Sequence, residues 1–243
     1  MGWFGQQRKR IMDTAKREIL RRVPFFESLD PEAFRTLCGL CHLRSFRAGE
    51  LIIGQHDKTY DVLFLLEGHA RVNAYSSTGI RVSFRDMAAG AIFGELSAAD
   101  GHPRSASVES VGPCLAAVMP REVFLQSLRE QPEFMMSVIV HLTRQIRTLT
   151  GRVFEFSTLA VRNRVHAELL RIAGPARNNS EEAVLSPAPT HEEIASRIST
   201  HREAVTRELA RLEERGLLKK EGRTLRIRDL TKLRRLVEQG AED

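Results

Sequence analysis

Between Pro132 and Ala160, apolar residues recur at alternating intervals of four and three: Met135, Ile139, Leu142, Ile146, Leu149, Val153, Phe156 and Ala160. That period belongs to a long helix with one continuous apolar seam. With Ile139, Ile146 and Val153 at a, and Leu142, Leu149 and Phe156 at d, the seam has β-branched a positions and mostly Leu at d. Parallel two-stranded coiled coils prefer this pattern. The seam therefore predicts a parallel homodimer held by these six residues. Packing of the helix on its own chain is the competing reading, and Gly151 weakens the run by about 1 kcal/mol.

The chain on either side of this helix has two different textures. From residue 24 to about 130, short β-rich runs (50–54, 62–66, 70–75, 81–85, 106–110 and 114–119) are broken at Gly54, Gly68, Gly79, Gly90, Gly101 and Pro113. This spacing predicts a small antiparallel barrel or roll, with Pro24-Phe25-Phe26 and a helix over 31–40 ahead of it. After the seam, a helix is expected at about 159–173. Residues 174–189, rich in Gly, Pro, Ser and Asn, read as a connector. Residues 1–23 hold seven Lys/Arg and two Asp/Glu around Ile11, Met12, Ile19 and Leu20, a basic amphipathic helix without an apolar signal core. The longest aliphatic and aromatic run, Val62 to Leu66, is far shorter than the roughly 20 residues of a membrane span. Three cysteines do not make a disulfide framework. The expected setting is cytoplasmic, with no membrane partner.

Beyond the connector, Thr190-His191-Glu192-Glu193 and Thr200-His201-Arg202-Glu203 both have Thr at a helix N-cap and Glu three residues on. Two helices are thus expected to start ten residues apart, the first ending near Ile198 and the second burying Val205, Leu209 and Leu212. This is a helix-turn-helix. A hairpin turning at Gly222-Arg223 adds a wing. Residues 197–235 carry thirteen Lys/Arg against six Asp/Glu, a local +7 that attracts polyanions.

In Phe93-Gly94-Glu95-Leu96-Ser97, followed by Pro103-Arg104-Ser105-Ala106, a glycine permits close backbone approach and an acid and a base lie on either side of a short turn or helix. Such a set suits a phosphoribose. Arg104 can pair with a phosphate, Ser105 can donate a hydroxyl, the amides after Gly94 can form an anion nest, and Glu95 can accept from a ribose hydroxyl. Together with Pro24-Phe25-Phe26, Gly49-Glu50, Gly68, the seam helix and the winged helix, these residues resemble the CRP/FNR superfamily of regulators, in its cyclic-nucleotide-binding branch.

The resemblance implies an α+β chain: a jelly-roll-like cyclic-nucleotide-binding β-roll, a long dimerisation helix and a C-terminal winged helix-turn-helix. It divides the chain into a basic N-terminal helix (1–23), the β-roll (24–131), the dimerisation helix (132–160), a hinge helix and connector (161–189) and the DNA-binding domain (190–243). It implies cAMP or cGMP as an allosteric ligand without a metal, and double-stranded DNA, a second copy of the chain and RNA polymerase as partners. Gly94, Glu95, Leu96, Ser97, Arg104, Ser105 and Ala106 fall on the family's nucleotide cassette. The family's purine-reading hydroxyl pair falls on Leu149 and Thr150, of which only Thr150 matches, leaving the choice of base open. Arg202, Glu203 and Arg207 fall on base-reading positions suited to the G·C pairs of a TGTGA-like half-site. Glu203 has a rival role in the second capping box. His201, Lys219, Lys220, Arg223 and Arg226 are candidates for phosphate contacts, and Thr190 and Thr206 complete the DNA-facing set. The alternatives are an iron-sulfur, haem or ligand-independent sensor of the same superfamily, the first two weighed through Cys38, Cys41, Cys114, His69 and His102, and a non-DNA cyclic-nucleotide regulatory module. No catalytic motif points to an enzyme.

Overall fold

A computed structural model describes residues 16–27, 29–174 and 181–239. Most of the basic segment expected at the N-terminus, the first part of the connector, and the last four residues lie outside that range. The chain divides into two compact units, residues 1–145 and 146–243, with the division falling inside one long helix.

The first unit is a roll of two four-stranded antiparallel sheets. One has the order β1 (His42–Phe46), β8 (Cys114–Met119), β3 (Val62–Glu67), β6 (Ile92–Phe93). The other has the order β2 (Leu51–Ile53), β7 (Ser107–Ser110), β4 (His69–Tyr75), β5 (Arg81–Ala88). Phe46, Leu65, Met87, Phe93 and Val108 fill the space between the sheets. Val62, Phe64, Leu66, Ala117 and Met119 point to the other face of their sheet, under helices α1 (Pro31–Leu40) and α3 (Arg121–Glu130) and the 3-10 turn at Pro24–Phe26. Buried on both faces, β3 is a continuous apolar run, as a central strand should be. Helix α2 (Glu95–Asp100) interrupts the strands between β6 and β7. It lies between two glycines in the left-handed region, Gly94 at φ 84° and Gly101 at φ 74°.

Helix α4 runs Pro132–Thr158 and ends two residues short of the expected limit. In the second unit, α5 (Val161–Ala173), α6 (His191–Arg197), α7 (Arg202–Glu214) and α8 (Leu230–Gln239) enclose a core of Val165, Leu169, Ile194, Val205, Leu212 and Leu233. The expected connector departs from its reading, because Ala183–Leu185 forms β9. It pairs with β11 (Thr224–Ile227), which pairs in turn with β10 (Leu218–Glu221). The wing is thus a three-stranded sheet. Loop-forming composition at residues 181–189 gives way to three ladder partners that only the distant hairpin supplies.

Candidate functional site

Gly94 opens α2 in a conformation that L side chains rarely adopt. A Cβ there would stand 2.7 Å from Arg104 Nη1 and 2.8 Å from the Asp61 carbonyl. The glycine makes room for the arginine. Arg104, only 3% exposed, donates from Nε to Thr59 Oγ1 (2.9 Å), from Nη1 to the Gly94 carbonyl (2.8 Å) and from Nη2 to the Asp61 carbonyl (2.7 Å). Its main chain is tied to the β2–β3 loop, with Arg104 N donating to the Asp57 carbonyl and His56 N to the Arg104 carbonyl. A guanidinium has five N–H groups. Three hold this one in place, and two remain for an acceptor. Ser105 is exposed, Ala106 half-buried, Leu96 exposed and Ser97 buried.

Glu95 is 5% exposed and does not pair with Arg104. Its Oε1 accepts from Gln145 Nε2 on α4 (3.2 Å), and the same nitrogen lies 2.6 Å from His141 Nε2. Burial pushes the Glu95 carboxyl above its ordinary range, with Arg85 and Arg104 acting against it. Burial, then Arg85 and Arg144, push His141 down to about 4, so it is neutral and its Nε2 can accept from Gln145. Phe25 meets the His141 ring edge to face at 5.3 Å. Sequence reasoning missed Thr59, Asp61, Arg85, His141 and Gln145. The available signal was Arg85, a charge within a strand two residues from the apolar Met87. Thr150, the position taken from the resemblance, is exposed on α4.

Along the seam, Ile139 (45%), Ile146 (64%), Leu149 (46%), Val153 (63%) and Phe156 (37%) are exposed. Leu142 differs, being half-buried against the core that holds Phe26, Phe64 and Phe134. Five of the six residues expected at the interface thus present apolar surface, while the sixth is partly claimed by its own roll.

The capping box at Thr190 is formed. Its hydroxyl accepts from Glu193 N, and Glu193 Oε2 accepts from Thr190 N (2.8 Å). The expected box at Thr200 is not formed. Ser199 takes a left-handed φ of 51°, and Thr200 N still donates to the Ala195 carbonyl, closing α6. Helix α7 therefore begins one residue later with His201 as its N-cap, and Glu203 stands too near the start to reach back. Arg202, Glu203, Thr206 and Arg207 form an exposed face opposite Val205, Leu209 and Leu212. Thr206 Oγ1 meets His191 Nδ1 at 2.7 Å and donates to the Arg202 carbonyl. Thr190, Arg202, Thr206, Lys220 and Arg223 line one open groove of about 810 Å³ between α7 and the wing. Lys219 pairs with Glu221 (2.7 Å), and Arg226 with Glu182 (3.4 Å) and Glu221 (3.7 Å).

The second unit also holds a buried charge cluster. Glu168 on α5 is 1% exposed and pairs with Arg171, with Arg197 (3.3 Å) and with Arg152 on α4 (3.7 Å). Arg152 Nη2 also donates to the Arg197 carbonyl (2.6 Å), and Arg171 Nη2 donates to both Glu155 carboxylate oxygens (2.8 and 2.7 Å). Cys38, Cys41 and Cys114 are free and buried, with the Cys38 and Cys41 thiols pushed up to about 11 and about 12 by burial. Among the described residues no three His, Cys, Asp or Glu side chains converge as a metal site, and no helix is long and apolar enough to cross a membrane.

Residues 43–131 match the family described as cyclic nucleotide-binding domain, and residues 163–236 match the Crp-like helix-turn-helix domain. The chain belongs to the CRP/FNR superfamily of transcription regulators. This CRP/FNR regulator is 25% identical over 219 residues to the CRP-like cAMP-activated global transcriptional regulator of Mycobacterium tuberculosis, covering 90% of this chain and 98% of the relative. It is 28% identical over 201 residues to the transcriptional regulator SdrP of Thermus thermophilus, covering 80% and 93%. The solved structure of the c-di-GMP responsive global regulator CLP of Xanthomonas campestris shares its fold, with a TM-score of 0.72 at 17% identity over 82% of this chain and 99% of that one.

Proposed function

We propose that this CRP/FNR regulator is a cytoplasmic homodimer that binds palindromic duplex DNA with TGTGA-like half-sites when cAMP or cGMP occupies the roll, and that it acts there on RNA polymerase. The observation that carries the reading is Arg104, anchored from behind by Thr59, Gly94 and Asp61 with two N–H groups unspent. A cyclic phosphate offers two acceptor oxygens to such a donor pair. Glu95 is the acceptor for the ribose 2′-hydroxyl. The cAMP-activated relatives support the nucleotide class. The exposed apolar seam on α4 supports the dimer, since a contiguous apolar row left in water is a liability that pairing removes. Arg202 and Arg207 on the free face of α7 support guanine contacts, and Glu203, released from capping, is available to cytosine N4.

Nucleotide binding would shift the balance between two arrangements of the DNA-binding domains, a coupling typically worth about 1–3 kcal/mol. Calorimetric titration of Arg104→Ala with cAMP and cGMP tests the site. Affinity is expected to fall by about 2–4 kcal/mol, roughly 30-fold to 1000-fold, with the fold and dimer retained. An affinity equal to that of the parent chain would overturn the assignment.

A further inference from the structure

The inner wall of the roll beside Glu95 is rich in hydrogen-bond donors. Along β5, Ser83 and Met87 are buried at 2% and 3% exposure, and the half-buried Arg85 between them pairs across the ladder with Val72, which packs with Met87 on the core of the roll. Among the described residues its guanidinium makes one hydrogen bond, Nη2 to the Ile92 carbonyl at 3.4 Å, so most of its N–H groups are unspent. Arg85 is also the leading charge acting on Glu95, yet the two make no ion pair. On the adjoining strand, opposite Ser83, Asn73 is completely buried. Its Oδ1 accepts from Ser83 Oγ at 2.8 Å, while its Nδ2 has no partner. A buried donor without a partner is costly, and natural interiors rarely leave one. Beside Glu95, Arg85 therefore presents a cation with spare donors, which suits an acceptor-rich ligand edge.

We infer that the base recognised in this roll is guanine, read at O6 and N7 by Arg85. The inference rests on the cassette reading above: a ribose whose 2′-hydroxyl is held by Glu95 carries its base on the adjoining carbon, within reach of the groups around Glu95. Guanine offers two acceptors, O6 and N7, spaced for a guanidinium fork. Adenine keeps N7 but replaces O6 with an N6 amino donor, which sets donor against donor at one tine of the fork and leaves the guanidinium a single acceptor. Arg85 thus makes the choice of base that Thr150 left open.

Titration of the full chain with cGMP, cAMP and cIMP tests the inference, since hypoxanthine keeps O6 and N7 but lacks the guanine 2-amino group. cGMP is expected to bind roughly tenfold or more tightly than cAMP, in line with one bidentate base contact. cIMP should stay near cGMP, and Arg85→Ser should remove most of the preference. Equal affinities, or a preference for cAMP, would overturn the guanine inference while leaving the cassette reading intact. So would a cGMP preference that survives in a folded Arg85→Ser chain. Binding of none of the three overturns the cassette reading itself, and the inference with it.

Discussion

At the scale of single residues, the cassette depends on one missing methyl group. Gly94→Ala adds a left-handed penalty of about 1–2 kcal/mol and forces the new Cβ against Arg104 Nη1 and the Asp61 carbonyl. Neither neighbour is the far end of a free chain, because Arg104 is held on three sides. We expect lowered thermal stability of the roll together with loss of nucleotide binding, measured by calorimetry on one preparation; a variant with parent affinity would contradict this geometry. His141 gives a second test. Held neutral and pushed down to about 4, it takes up its proton more readily in the unfolded chain, whose ordinary value is 6.5. Stability should therefore fall as pH drops from about 6.5 toward about 4, and His141→Gln should flatten that limb of a denaturant-midpoint profile against pH. The Gly94, Glu95 and Arg104 cassette was legible because its residue types are unusual together. Thr59 and Asp61 were not, since a main-chain carbonyl and a loop hydroxyl carry no spacing signal.

At the scale of elements, five of the six seam residues of α4 are exposed, and Leu142 is the exception. Leu142 is shared with the roll, so a charge there would damage the fold as well as any dimer. Val153 is the cleaner probe at 63% exposure. Val153→Lys should leave the helix and the monomer intact while placing like charges across the paired seam. Sedimentation should show the parent as a dimer and the variant as a monomer; a persistent dimer would move the interface elsewhere. The periodic strands were readable from alternation and glycine punctuation. β1, β6 and β9 were not. His42–Phe46 is mostly exposed and polar, Ile92–Phe93 is two residues long, and Ala183–Leu185 lies in loop-rich sequence. Each is a strand because a partner strand far along the chain pairs with it. Helix α7 starts at Arg202 for a similar reason, since closure of the preceding turn outweighed a local capping signal.

At the scale of the whole molecule, phosphate contacts and base contacts should separate under mutation. Arg202→Ala should cost about 1–3 kcal/mol per half-site at one base pair, whereas Lys219→Ala should weaken all sequences alike and lower the salt slope. A binding-site library scored at several salt concentrations reads both, and uniform losses from both variants would remove the base-reading role of α7. The buried cluster at Glu168 bears on how such a reader is aimed. Arg152, Arg171 and Arg197 bring the end of α4, the body of α5 and the end of α6 onto one carboxylate, and uncoupling a buried ion of this kind costs on the order of 3–5 kcal/mol. The last turns of the seam helix are therefore fastened to α5 and to the end of α6. Turning those last turns would carry α5 and the end of α6 with them, as the shaft of a key carries its bit. In a paired molecule, the phase at which the two shafts lock would act as the ruler that sets the spacing between half-sites.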